Sequence, residues 1–193
     1  NGLLNAYMLR ESLEHHSVYL DLIAEHGFEP RVLIGDELRD HEPQFNDDVY
    51  GGIFFPHERH MDPGALMRAL HKRVVEMGVA IHENTPVTAV DSDGSRVRAV
   101  MSNGRRYEAE RFVLAAGAWT GPLSKLFGAS LPVRPGKGYS IEMRPFALRG
   151  ATNLSDSKVA ITPFNDRLRL AGTMEFRGLD ENINKVQIGR AHV

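Results

Sequence analysis

The run Phe112-Val113-Leu114-Ala115 constrains this chain's fold more than any other stretch, because four apolar residues without a polar break pass at once into Ala116-Gly117-Ala118-Trp119. A strand without alternation is one buried on both faces, as in a parallel sheet covered by helices. Small residues at its end let backbone amides approach a phosphate or a ring closely before a helix opens, here running through about residue 127. The same residues also suit plain close packing of strand against helix, and the residues alone leave both readings open.

Around this run the elements alternate. Leu9, Leu13, Leu20 and Ile23 recur at helical spacing up to Gly27, so the chain is expected to open directly into one amphipathic helix. A short helix at 35–42 stops before Pro43, and the aromatic run at 50–55 reads as a strand ended by Pro56. Asp62 caps and Pro63 opens a helix that presents Leu66, Leu70, Val74 and Met77 on one face until Gly78 closes it. Short strands are expected at 79–81 and 87–90, followed by a meander of strands at 97–101 and 107–109 with Asp93-Gly94 and Asn103-Gly104 as turns. Beyond a boundary near Ala129 the texture changes, and 139–143, 159–162 and 168–171 alternate as sheet strands with little helix between them. The fold class is α/β with an α+β admixture: part of a Rossmann-like domain with a β-meander, plus part of an antiparallel-sheet domain.

A net charge of −2 with mixed signs argues against nucleic acid as a partner and for small-molecule chemistry. The absence of cysteine excludes disulfides and thiolate metal sites and is compatible with a reducing cytoplasm. The longest apolar stretch, 112–123, is too short to span a bilayer. The closing run Ile188-Gly189-Arg190-Ala191-His192-Val193 is what a common sequencing-adapter read-through encodes, so 188–193 is expected to be a non-native tail and both ends to be cuts.

Few side chains stand out as chemistry. His57, Glu58 and His60 lack the spacing of a zinc site, and no metal is expected. Arg167 and Arg169 read as salt-bridged surface arginines. Lys137, between two glycines, is either a solvent-facing turn lysine or a point charge delivered to a ligand.

Two segments carry a resemblance. His82-Glu83-Asn84-Thr85-Pro86-Val87 and then Val113-Leu114-Ala115-Ala116-Gly117-Ala118-Trp119 resemble the adenine-side and pyrophosphate-side segments of D-amino-acid oxidase-type flavoproteins. Arg134-Pro135-Gly136-Lys137-Gly138-Tyr139-Ser140, and Lys158-Val159-Ala160-Ile161-Thr162-Pro163-Phe164 through Gly172-Thr173-Met174, are similar to D-amino-acid dehydrogenases and glycine oxidases. The resemblance covers the chain from Leu9 to about Asp180. It implies FAD as cofactor, a substrate domain from 1–57 and 129–187, and an FAD domain from 58–128. Val87 would meet adenine through its backbone, and Ala115, Ala116, Gly117 and Trp119 would lie along ribose and pyrophosphate. Composition alone reads Val87 as a core valine and Met174 as a core methionine; the resemblance places Met174 beside the substrate. Lys137 would face the flavin's pyrimidine edge or a substrate carboxylate. Ala160 stands where glycine oxidases place a tyrosine, which favours the dehydrogenase branch.

The implied reaction is oxidation of a small amine or D-amino acid by hydride transfer to FAD, giving an imine and then a keto acid. The glycine-rich FAD turn and the carboxylate-clamping arginine of the resemblance are not in this chain. The implied setting is the cytoplasm, with peripheral membrane contact where a quinone accepts the electrons; the oligomeric state is not specified. Rival readings are a glycerol-3-phosphate dehydrogenase or an RNA-modifying flavoprotein, for which no basic cluster is evident in the sequence, and a non-catalytic interaction module.

Overall fold

In a computed structural model the structure describes residues 2–186, and the closing run at 188–193 lies outside them. The chain divides into two compact units, the first built from Asn1–Met67, Gly138–Met174 and the segment from Asn184, the second from Arg68–Lys137 and Glu175–Ile183.

The first unit is built on a seven-stranded sheet. Its strands are β1 (Leu3–Tyr7), β2 (Arg31–Ile34), β3 (Gly51–Phe55), then β7 (Lys137–Met143), β8 (Ala151–Leu154), β9 (Val159–Pro163) and β10 (Leu168–Glu175), and their order across the sheet is β2-β3-β1-β8-β9-β10-β7. The sheet is not purely antiparallel, because β1 runs parallel to β8, Leu3 opposite Ala151 and Ala6 opposite Leu154. Helices α1 (Arg10–Ser17) and α3 (Asp36–His41) pack on opposite faces. Leu4 and Ala6 point to Leu33 and Leu38 under α3, while Tyr7 points to Leu13 of α1 and Ile53, as alternation along a strand requires. β3 is buried from its first residue: a Cβ on Gly52 would stand 2.7 Å from Leu4 Cδ1 and 3.1 Å from Asn5 O, so only glycine fits there. Glu42, just past α3, is buried and accepts from the amides of Gln44 and Arg149, which ties the loop before β8 to this helix.

Two sequence expectations fail in this unit. Residues 3–7 are a central strand rather than part of an opening helix, because ladders to β3 and β8 on both edges outweigh the weak local preference of Leu-Leu-Asn-Ala-Tyr. The single helix to Gly27 is two, α1 and then α2 (Leu20–Glu25), interrupted at Val18 and Tyr19. Ser17 Oγ donates to Leu13 O at 2.8 Å, and His16 Nδ1 lies 2.8 Å from Ser12 O. Side chains that bond carbonyls one turn back bend helices, and a β-branched valine follows at once.

Helix α4 (Pro63–Glu76) leads from the first unit into the second. The Asp62 carboxylate accepts from the Ala65 amide at 3.0 Å, the expected cap. In the second unit β4 (Ala89–Ser92), β5 (Val97–Ser102) and β6 (Arg105–Glu108) form the meander, with Val90, Val100 and Tyr107 in one register row. Asn103 and Gly104 both take positive φ, +49° and +74°, the two-residue turn that Asn-Gly prescribes. Two expected strands are absent among the described residues. The run at 79–81 carries no ladder, and 112–115 likewise pairs with nothing. A strand exists only through its neighbours, and no described strand lies alongside either run. Exposure nevertheless alternates residue by residue from Arg111 to Ala115, as in extended backbone, and Val113 is 89% exposed. A single 3-10 turn (Gly117–Trp119), the short α5 (Thr120–Ser124) and a second 3-10 turn (Lys125–Phe127) then supply the expected helical segment.

Candidate functional site

The first unit carries a concave site, a cavity of about 730 Å3 on the α1 face of the sheet. Its floor follows from strand register. Asn5 pairs with Asn153, Asn153 with Ala160, and Ala160 with Ala171, so four short side chains line one row across β1, β8, β9 and β10. Asn153 Nδ2 donates to Asn5 Oδ1 at 3.0 Å, which satisfies part of the floor internally and fixes both amides. Tyr7 and His16 line the cavity from the α1 end, with ring centroids 5.1 Å apart. Burial, opposed by the Ser155 hydroxyl and reinforced by the Asp156 charge, raises the Tyr7 phenol above its ordinary pKa, so it stays protonated.

The charges of the lining are one-sided. Arg169 and Lys158 contribute two cations, while no aspartate or glutamate is among the lining residues. Arg169 projects from the row next to the floor, since it pairs with Thr162 while Ala171 pairs with Ala160. Its Nε is buried without a hydrogen-bond partner, and among the described residues it forms no ion pair. Arg167 behaves as the sequence predicts: its guanidinium contacts Asp62 at 2.8 Å, Asp166 at 2.8 Å and Glu142 at 3.1 Å and stacks on Phe164. The salt-bridged reading therefore holds for Arg167 and fails for Arg169. The basic grouping around the cavity is invisible in the sequence because Lys158, Arg169 and His16 are brought together only by pairing and by α1.

Met174 lines the same cavity and is 61% exposed, a flexible apolar group at its edge. Lys137 does not line it. The Lys137 ammonium contacts the buried Glu175 carboxylate at 3.1 Å and donates to Asp180 O and Asn182 O, so its charge is already matched within the second unit. His57 pairs with Glu29, and His60 Nε2 meets Pro163 O. Among the described residues no group of three His, Asp or Glu could hold a metal ion, and no helix is long and apolar enough to cross a membrane.

The remaining candidates are all in the second unit. Val87 is half-buried just ahead of β4, next to Thr88, whose amide donates to Met101 O. Ala115 and Ala116 end the unpaired run, and Gly117 turns with φ +52°, with open space where a Cβ would stand. Trp119 is more than half exposed. The structure thus offers a run up to Ala115 that joins no described ladder, small side chains at its end, and open space at Gly117.

A family model described as FAD dependent oxidoreductase matches residues 1–191. The chain belongs to this family. The D-amino acid dehydrogenase of Paramagnetospirillum magneticum is 30% identical over 193 residues, covering 96% of this chain and 46% of the relative. That of Bradyrhizobium diazoefficiens is 36% identical over 137 residues, 69% of this chain and 32% of the relative. Among solved structures, glycine oxidase from Geobacillus kaustophilus superposes with a TM-score of 0.89 at 23% identity, covering 99% of this chain and 52% of that one, a likeness of fold. The chain spans about half the length of the curated relatives it matches. FAD is the cofactor of this FAD-dependent oxidoreductase family. The backbone at 111–115, which joins no described ladder, fits such a group, because a dinucleotide needs backbone donors and acceptors that no strand has already taken.

Proposed function

We propose that the protein to which this chain belongs is a flavin-dependent amine oxidoreductase that acts on small amino acids, D-amino acids foremost. The observation that carries this reading is the cavity over the Asn5-Asn153-Ala160-Ala171 floor, in a chain of the FAD-dependent oxidoreductase family. When bound, FAD supplies the two-electron acceptor for the C–H bond next to nitrogen, and the resulting imine is hydrolysed by water to a keto acid and ammonia. The second unit would serve as part of the FAD-binding domain. There Val87 holds the adenine edge through its backbone, and Ala115, Ala116, Gly117 and Trp119 follow the ribose and pyrophosphate. The first unit would serve as part of the substrate domain. Its low floor leaves room for a side chain, Met174 adapts to that side chain's shape, and the Asn5 and Asn153 amides orient polar groups above the floor. Names of relatives support the D-amino-acid branch, and Ala160 in place of the tyrosine of glycine oxidases supports it independently.

A second reading draws on one observation. The cations Arg169 and Lys158 in the lining would also suit a phosphate, as in oxidation of glycerol 3-phosphate. One experiment separates the two. The full-length protein is mixed anaerobically with D-amino acids, glycine, sarcosine or glycerol 3-phosphate while the visible flavin band is followed. Bleaching by D-amino acids is expected; bleaching by glycerol 3-phosphate alone would replace the first reading with the second, and no bleaching with any amine would end it. The reading extends to a cytoplasmic site of action, with peripheral membrane contact if a quinone reoxidises the flavin. Repeating turnover with oxygen and with a dye acceptor distinguishes those acceptors.

A further inference from the structure

We infer that Arg169 is a specificity-determining residue that binds a carboxylate on the substrate's side chain, so that the preferred substrates are amino acids carrying a second acid group; this rests on the proposed amino-acid oxidation. Three observations on the same face carry it. The cavity lining holds no carboxylate, and of its two cations Lys158 acts on the nearby Asp156 charge while Arg169 forms no ion pair among the described residues, so an amino acid of zero net charge leaves Arg169 uncompensated, whereas one with an acidic side chain brings a net −1. Arg169 is placed by the β9–β10 ladder next to the floor, with a buried Nε that has no partner among the described residues. A buried guanidinium N–H with no acceptor is costly, and a carboxylate of a bound molecule is the acceptor that matches a guanidinium in both charge and planar geometry.

The floor beside Arg169 sets the shape of the ligand. Arg169 pairs with Thr162 inside the β9–β10 ladder, whereas Lys158 lies in the turn just ahead of β9, with φ +58°, at the other end of the floor. Between them the floor consists of Ala160 and Ala171, whose methyl groups leave the intervening space empty. A shallow, small-residue trough with an arginine beside it fits an amino acid whose side chain ends in a carboxylate. The contrast with Arg167 sharpens the assignment. Two residues away on the same chain, Arg167 is enclosed by Asp62, Glu142 and Asp166, so the fold supplies carboxylates for one arginine and withholds them from the other.

The test uses the full-length flavin-loaded enzyme and pairs of substrates equal in size but different in charge: D-glutamate with D-glutamine, and D-aspartate with D-asparagine. The wild type is expected to favour each acid over its amide in kcat/KM, and Arg169→Gln to lower kcat/KM for the acids roughly 10- to 100-fold while leaving the amides within about threefold, as loss of a charge-assisted hydrogen bond would. Arg169→Lys should restore part of the preference. Flavin content and the visible spectrum of each variant report folding separately, and glutarate, a non-reacting dicarboxylate, titrated against the flavin spectrum should bind at least tenfold more weakly to Arg169→Gln. A wild type that prefers the amides, or a variant that loses acids and amides equally while keeping its flavin, overturns the role of Arg169 and leaves amino-acid oxidation standing. A wild type whose flavin no amino acid reduces removes the proposed function, and this inference with it.

Discussion

Asp156 joins two segments nearly 150 residues apart: its carboxylate accepts from the amides of Met8 at 2.7 Å and Leu9 at 3.4 Å, at the start of α1, where no local side chain caps the helix. Burial works against its charge, yet the Ser12 hydroxyl, the two amides and the Lys158 charge outweigh it and hold the carboxyl below the usual carboxylate range. A group whose folded pKa is depressed contributes stability in full above its unfolded pKa of about 3.9, and that contribution is lost as pH falls through the lower folded value. Asp156→Ala is therefore expected to destabilise by about 1–2 kcal/mol at pH 7 and by progressively less below about pH 4. Urea titrations across that range check it; an equal loss at all pH values would show that the ionised form is not what matters. At the floor of the cavity, Ala160→Tyr should occupy space above Asn153 and Ala171 and lower kcat/KM for bulky D-amino acids roughly tenfold or more relative to glycine. Steady-state kinetics of the full-length enzyme with unchanged flavin content measure this, and an unaltered ratio would mean that substrates do not approach β9.

Among the elements, those with strong local signals were legible in the sequence. Asp62 and Pro63 announce α4, Asn103-Gly104 announces the β5–β6 turn, and the aromatic run ending at Pro56 announces β3. The strands that escaped, β1, β2 and β8, are short and ordinary in composition, and they exist because of partners far away in the chain. Part of the cavity shared that fate: Asn5, Tyr7 and Asn153 carry no motif, and only the ladder linking β1, β8, β9 and β10 aligns them with Ala160 and Ala171. Arg169 was visible but took the default reading for a surface arginine, since its lack of an acidic neighbour is a fact of packing. Conversely the apolar run at 112–115 spoke for a buried strand, and no described strand pairs with it. Close packing at β3 gives a test at this scale. Gly52→Ala would press a methyl group to 2.7 Å from Leu4 Cδ1 and 3.1 Å from a backbone oxygen, so a loss of about 1–3 kcal/mol is expected. Thermal melting should register it as a fall in Tm of several degrees, and an unchanged Tm would mean that β1 and β3 can move apart at little cost.

For the whole chain, the second unit presents much apolar surface. α4 buries none of its residues, and Leu70 and Met77, from the stripe expected to face a core, are exposed together with Val113 and Val79. In a chain spanning about half the length of its relatives, these 193 residues alone are expected to retain no stoichiometric FAD. Purification followed by a visible spectrum with added FAD checks this, and a yellow protein with one flavin per chain would refute it. The parallel contact between β1 and β8 has a temporal consequence. The second strand of that pair is made some 145 residues after the first, so on the ribosome the opening strand waits with one edge open until the meander and α4 have already emerged. Closing so long a loop is slow compared with forming a local hairpin. Nascent chains stalled before Ala151 should therefore hold a folded meander beside a sheet that is still unzipped along β1.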